Sequence, residues 1–210
     1  MRLIAATLAL VFGLVGSAFA EDAFKEGVHY QKLAQKVATV DPSKIEVTEV
    51  FWYGCGHCYT FEPMLQSWKA EQAEDVNVVQ LPAIWNGPME VHAKAFFTAK
   101  ALNKLDTLHQ PLFDALNSQR ARLDNEQALV DFFEKHGVSE EDFRKTYRSF
   151  GVVSQVNIAN SKARGYGITG TPEVIVDGQY RISARMAGSQ EKMLQVADFL
   201  VEKIRNSQGS

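Results

Sequence analysis

A β-branched and aromatic run, Ile45-Glu46-Val47-Thr48-Glu49-Val50-Phe51-Trp52, leads almost directly into Cys55-Gly56-His57-Cys58, after which the apolar period lengthens from two residues to about 3.6. The first segment reads as a strand, with Ile45, Val47, Glu49 and Phe51 on one face and Glu46, Thr48, Val50 and Trp52 on the other. Both faces are largely apolar, as in the middle of an α/β sheet, so Glu49 is a carboxyl among apolar side chains. Phe61, Met64, Leu65 and Trp68 mark the following helix, which Pro63 should kink, and Val76 to Leu81 reads as a second strand. Strand, helix, strand is a βαβ unit with a right-handed crossover and parallel strands.

The rest of the chain must complete that unit. Val28 to Leu33 is a short edge-strand candidate. Between Trp85 and Lys162 the pattern is helical throughout. Met89 to Leu102 and Leu105 to Asn117 read as helices; a third starts at Asp124 with Gln127 three places on and stops at Gly137; a fourth starts at Ser139 with Asp142 and carries Phe143, Tyr147 and Phe150. Strand signals resume at Glu173 to Val176 and Tyr180 to Ser183 around the hairpin pair Asp177-Gly178, and Ser189 to Ile204 closes the chain as a helix with Met193, Val196, Phe199, Leu200 and Val201 inward. The expected class is α/β with an inserted all-helical subdomain: 21–84 and 163–210 form one domain and 85–162 the insertion.

Residues 1–20 stand apart. Met1-Arg2 is a positive start, Leu3 to Phe19 is uncharged and mostly apolar, and Ala18-Phe19-Ala20 is a small-x-small end followed by Glu21-Asp22. This is the pattern of a secretory signal peptide cleaved after Ala20; the rival reading is an N-terminal membrane anchor, for which the apolar run is short. No other stretch approaches a membrane span, so a soluble exported chain is expected. The net charge of −3 among 210 residues leaves no basic field for a phosphate backbone, and nucleic-acid binding is not expected.

The chain has two cysteines. A structural zinc site needs four ligands, and His29, His92, His109 and His136 show no paired ligand spacing. Haem attachment needs a histidine after the second cysteine, where Tyr59 stands. A purely structural disulfide remains possible, but it would close a very short loop and constrain the unfolded chain little. A catalytic dithiol fits placement, compartment and count together. At a helix start Cys55 meets free backbone N–H groups and the positive end of the dipole, which favour its thiolate. Cys58, one turn deeper, is then the resolving thiol.

Phe51-Trp52-Tyr53-Gly54-Cys55-Gly56-His57-Cys58-Tyr59, with Gly170-Thr171-Pro172 further on, resembles the active-site segments of the thioredoxin superfamily. The helical insertion, the export signal and the continuation Cys58-Tyr59-Thr60-Phe61-Glu62 resemble its DsbA branch, the periplasmic thiol:disulfide interchange proteins, over essentially the whole mature chain. The resemblance implies a thioredoxin-like fold and a periplasmic disulfide oxidase. In such an enzyme the oxidised Cys55–Cys58 pair accepts electrons from reduced or unfolded exported proteins and is re-oxidised by an inner-membrane partner of the DsbB type. It implies no bound cofactor and no metal, and a monomer is the simplest expectation. It makes His57 a cation beside the reactive sulfur, the alternative being an exposed polar residue. Glu49 becomes a buried acid that exchanges a proton with Cys58, the alternative being a residue bending outwards, and Gln80 stands where relatives often carry lysine. Thr171 and Pro172 become the substrate-contacting cis-proline loop, where spacing alone would expect a trans bond.

Two departures bear on direction. Gly56-His57 replaces the Pro-His of strongly oxidising members, and Thr171 replaces the common valine, both in the manner of isomerases and reductases. The expectation is an oxidase somewhat less oxidising than the Pro-His members. The alternatives are an isomerase or reductase on the same fold, or a non-catalytic exported binding module.

Overall fold

The computed structural model describes residues 23–208; the expected signal peptide, with its expected cleavage after Ala20, and the last two residues lie outside that range. Strands β1 (Gln31–Lys32), β2 (Ile45–Phe51), β3 (Val76–Pro82), β4 (Glu173–Val176) and β5 (Tyr180–Ser183) form one mixed sheet in the order β1-β5-β4-β2-β3. β2 is parallel to β3, with Glu49 opposite Gln80, and antiparallel to β4. Every residue of β2 is buried, as its two apolar faces require.

Helix α1 (Gly56–Ala70) follows β2 and runs on through Pro63. It lays Phe61, Leu65 and Trp68 against Val47 of β2 and against Met193, Val196 and Leu200 of α8 (Gln190–Gln208). Between β3 and β4 come α2 (Gly87–Ala101), α3 (Leu105–Asn117), α4 (Glu126–Lys135), α5 (Glu140–Tyr147) and α6 (Phe150–Gly165). Their aromatic core, including Phe96, Phe113, Phe133 and Phe143, is continuous with Val50, Phe51, Tyr53 and Cys58. The helices therefore rest on the end of the sheet from which the cysteine segment emerges. The whole is a thioredoxin-like α/β fold carrying a helical insertion.

Hairpin β4–β5 turns through Asp177 and Gly178, both in the left-handed region at φ 50° and 64°, the geometry of a type I′ turn. A Cβ on Gly178 would lie 2.0 Å from the Val37 carbonyl oxygen, so only glycine lets the segment after β1 pass so close.

Several expectations need correction. Only Gln31 and Lys32 pair as a strand at the sheet edge. Asn125, not Asp124, caps α4, because its side chain is the one that reaches the Ala128 N–H, at 3.0 Å. Ser139 caps α5 as expected, but that helix ends at Tyr147; Ser149 caps a new helix through the Val152 N–H, and this turns Phe150 out to 87% exposure. Phe199 is only half-buried, its ring against Phe24 and Tyr30. A short helix, α7 (Ala184–Ala187), capped by Ser183 and ended by Gly188 at φ 99°, comes before α8.

Candidate active site

The segment after β2 is fixed from both sides. The Trp52 indole N–H donates to His92 Nδ1 of α2 at 2.8 Å, leaving the His92 Nε2–H to donate to the Leu123 carbonyl at 3.1 Å. Burial pushes the pKa of His92 down to about 4, so this neutral tautomer persists through ordinary pH. A Cβ on Gly54 would lie 2.4 Å from the Trp52 ring, so the turn requires glycine there. Asn117 of α3 donates to the Tyr53 carbonyl at 2.8 Å.

These contacts deliver Cys55 as the N-cap of α1, with extended backbone at φ −91° and ψ 112°. Its Sγ accepts from the Cys58 N–H at 3.4 Å and lies 3.3 Å from the Thr171 carbonyl oxygen, to which the thiol form donates. Cys55 is half-buried and Cys58 wholly buried; both are free thiols. A hydrogen bond from the Cys58 thiol, the Thr171 side chain and the backbone N–H groups of Cys58 and His57 together outweigh partial burial and bring the Cys55 pKa down to about 5. Burial, the bond to Cys55 and the charge of Glu49 push Cys58 far up. One sulfur is poised as a thiolate and the other as a thiol.

The remaining expected residues fall as follows. The Thr171-Pro172 peptide is cis and places Thr171 beside Cys55. Its loop is pinned by the buried Glu173, whose Oε1 accepts from the N–H groups of Thr169 (3.3 Å) and Gly170 (3.2 Å). His57 is exposed; it reaches Cys55 through its backbone N–H, and its carbonyl accepts from Gln190 at 2.7 Å. A cleft of about 330 Å³ beside the sulfur is lined by His57, Thr171, Pro172, Arg185 and Gln190 among others.

Glu49 is fully buried. Burial, followed by the charge of Glu62, raises its pKa well above the carboxylate range, against the opposing effect of Gln80, which donates to its Oε2 at 2.9 Å. Gln80 also donates to Glu62 Oε2 at 2.8 Å. Glu62 and His109 are the polar groups that sequence reasoning missed. Glu62 lies one turn after Cys58 on the same helix face, a spacing that could have revealed it. His109 belongs to α3, and nothing local ties it to the cysteines.

The chain compares closely with proteins of known activity. The DSBA-like thioredoxin domain model matches residues 72–200. The thiol:disulfide interchange protein DsbA of Pseudomonas aeruginosa is 36% identical over 204 residues, covering 97% of both chains. That of Pseudomonas syringae pv. tomato is 39% identical over 203 residues, covering 97% of this chain and 92% of its own. The crystal structure of Pseudomonas aeruginosa DsbA superposes with a TM-score of 0.87 at 36% identity, covering 90% of this chain and 99% of the other.

Fold and paired thiols together define a thiol:disulfide oxidoreductase of thioredoxin type. Among such enzymes, this chain belongs to the DsbA family.

Proposed function

We propose that the protein is a periplasmic oxidase that introduces disulfides into exported proteins through Cys55 and Cys58. The observation that carries this is the unequal placing of the two sulfurs: Cys55 is half-buried at the N-cap of α1 and accepts from the Cys58 N–H, while Cys58 is wholly buried, so that Cys55 is drawn down to about 5 and Cys58 is pushed far up. Whatever stabilises the Cys55 thiolate stabilises the reduced enzyme, which makes its disulfide the stronger oxidant.

A substrate thiolate attacks Cys55 Sγ, and Cys58 leaves with the bonding pair and takes a proton from Glu49. A second substrate thiolate then attacks the substrate sulfur of the mixed disulfide and releases Cys55 as its thiolate. The reduced pair passes its electrons to a DsbB-type inner-membrane partner. Thr171 and Pro172 offer an extended substrate backbone a place to align beside the sulfur. The imidazole of His57 adds charge stabilisation when protonated.

This reading takes 1–20 as a signal peptide removed after Ala20, 21–84 with 163–210 as the thioredoxin-like domain, and 85–162 as the helical insertion. The working form is a monomer. Among the described residues no helix is long and apolar enough to cross a membrane. The isomerase or reductase alternative draws on Gly56 and Thr171.

Equilibration with glutathione, together with refolding of a reduced secreted protein, tests the proposal. An oxidase holds a potential well above that of thioredoxin and speeds disulfide formation; Cys55→Ser abolishes exchange, and Cys58→Ser accumulates mixed disulfides. A thioredoxin-like potential with efficient insulin reduction would favour the reductase.

A further inference from the structure

Behind the two sulfurs runs a buried polar chain that crosses four elements. Glu49 of β2 and Glu62 of α1 share the Gln80 amide nitrogen of β3, at 2.9 and 2.8 Å. His109 of α3 sets its Nε2 3.3 Å from Glu62 Oε1, and its Nδ1 lies 2.6 Å from the Tyr53 hydroxyl. His109 Nε2 is also 3.0 Å from the Gln80 nitrogen, but that nitrogen has two hydrogens for three neighbours. With the phenol donating to Nδ1, Nε2 carries the proton, on the side of the ring that lies 3.3 Å from Glu62 Oε1.

The two ends of the chain differ. Glu62 accepts from Gln66 (2.6 Å) and Gln80 and has the His109 ring 3.3 Å from its Oε1. Glu49 has a single donor, and its Oε1 is buried without a partner. Two buried carboxylates sharing one amide cannot both ionise cheaply. The better-solvated one keeps the charge.

The geometry points to His109 as a positioning residue for disulfide exchange: its bond to Glu62 fixes the negative charge there and so keeps the single shared proton on Glu49, beside Cys58. This deepens the proposed oxidase reading and rests on it. When a substrate thiolate breaks the Cys55–Cys58 bond, Cys58 takes the bonding pair and the proton leaves Glu49 for Cys58 Sγ. When Cys58 re-forms the bond against a mixed disulfide with the oxidising partner, the partner's sulfur leaves with the electron pair and the Cys58 proton returns to Glu49.

The groups facing His109 are Glu62 and Gln66 of α1, Gln80 of β3, Tyr53 of the cysteine segment and the rings of Phe51, Phe96 and Phe113. A cleft of about 300 Å³, with Lys69 and Asp106 also on its walls, opens over Glu62 and His109 and gives the chain access to water. The directions of titration agree: Glu49 is raised, by burial and then by Glu62, while His109, Gln66 and Gln80 hold Glu62 below its ordinary value against burial.

The test is the infrared band of the protonated carboxylic acid in the oxidised mature chain, followed against pH and assigned by its loss in Glu49→Gln. In His109→Phe, which keeps a ring in the aromatic pocket, the Glu49 midpoint falls by roughly one pH unit or more. A Glu62 acid band then appears at higher pH than in the wild type, and the glutathione equilibrium moves about three- to tenfold toward the protein disulfide. His109→Gln, which restores a donor, returns the midpoint to the wild-type value. Glu62→Gln lowers the midpoint likewise, and adding His109→Phe to it moves nothing further. An unchanged Glu49 midpoint in His109→Phe overturns the inference, and should that variant not fold, an unchanged midpoint in Glu62→Gln overturns it equally. The band needs no turnover, so a wild-type chain without exchange activity would refute the oxidase reading while leaving this result readable.

Discussion

The Cys55 sulfur lies 3.3 Å from the carbonyl oxygen of Thr171, a residue 116 positions further along the chain. The cis peptide before Pro172 and the Glu173 carboxylate hold that loop in place from the sheet side, while Trp52 and Asn117 hold the cysteine segment from the helical side. The Cys55 sulfur thus sits at a junction of two independently braced segments.

Thr171→Val tests the loop. The resemblance places threonine before this proline with less oxidising members, yet here the Thr171 side chain favours the Cys55 thiolate. Its removal should raise the thiolate midpoint and shift the glutathione equilibrium about three- to tenfold toward the protein disulfide, since a hydrogen bond to a charged group contributes about 1.5–3 kcal/mol when buried and less at a half-exposed sulfur. A valine variant that is more oxidising than the wild type would contradict this.

The sulfurs also link redox state to pH. Cys55 in the folded reduced chain titrates near 5, below the unfolded value of about 8.5. It therefore contributes stability that is complete above about 8.5 and is lost as pH falls through about 5. Cys58 is displaced upward, so its contribution is complete below about 8.5 and erodes above it. The disulfide form has neither term. Urea unfolding of both forms should show the stability of the reduced chain, relative to the oxidised one, climbing from pH 5 to 8 and then turning over. A gap independent of pH would count against both shifts.

Gly54→Ala probes the brace. Its Cβ would meet Trp52 Cζ2 at 2.4 Å and Cε2 at 2.7 Å, forcing the indole away from His92. We expect a loss of about 1–3 kcal/mol in chemical unfolding, with a changed near-ultraviolet tryptophan signal. A change within about 0.5 kcal/mol would show that the ring has room to move.

Much of this arrangement is legible in the sequence because it is local. The period change around Cys55, the Ser139 cap and the Asp177-Gly178 turn each depend on residues within a few positions of one another. The outward turn of Phe150 was hidden by a helical period that continues across the break at Ser149. The cap at Asn125 rather than Asp124 turned on one residue of register. His109 could not have been found: its partners Tyr53 and Glu62 are 56 and 47 residues away, and only the packing of α3 on the sheet end brings them together. Glu49 was visible as an anomaly, but the carboxyl and histidine that govern its proton were not.

The proposed oxidase activity depends most on the charge of one sulfur. Titrating the Cys55 thiolate by its ultraviolet absorbance in the reduced protein, with His57→Ala alongside, measures it directly. The wild type should ionise with a midpoint near 5, with any further rise in His57→Ala reporting the imidazole's share. A wild-type midpoint near the ordinary thiol value of about 8.5 would remove the driving force for oxidation and contradict the account.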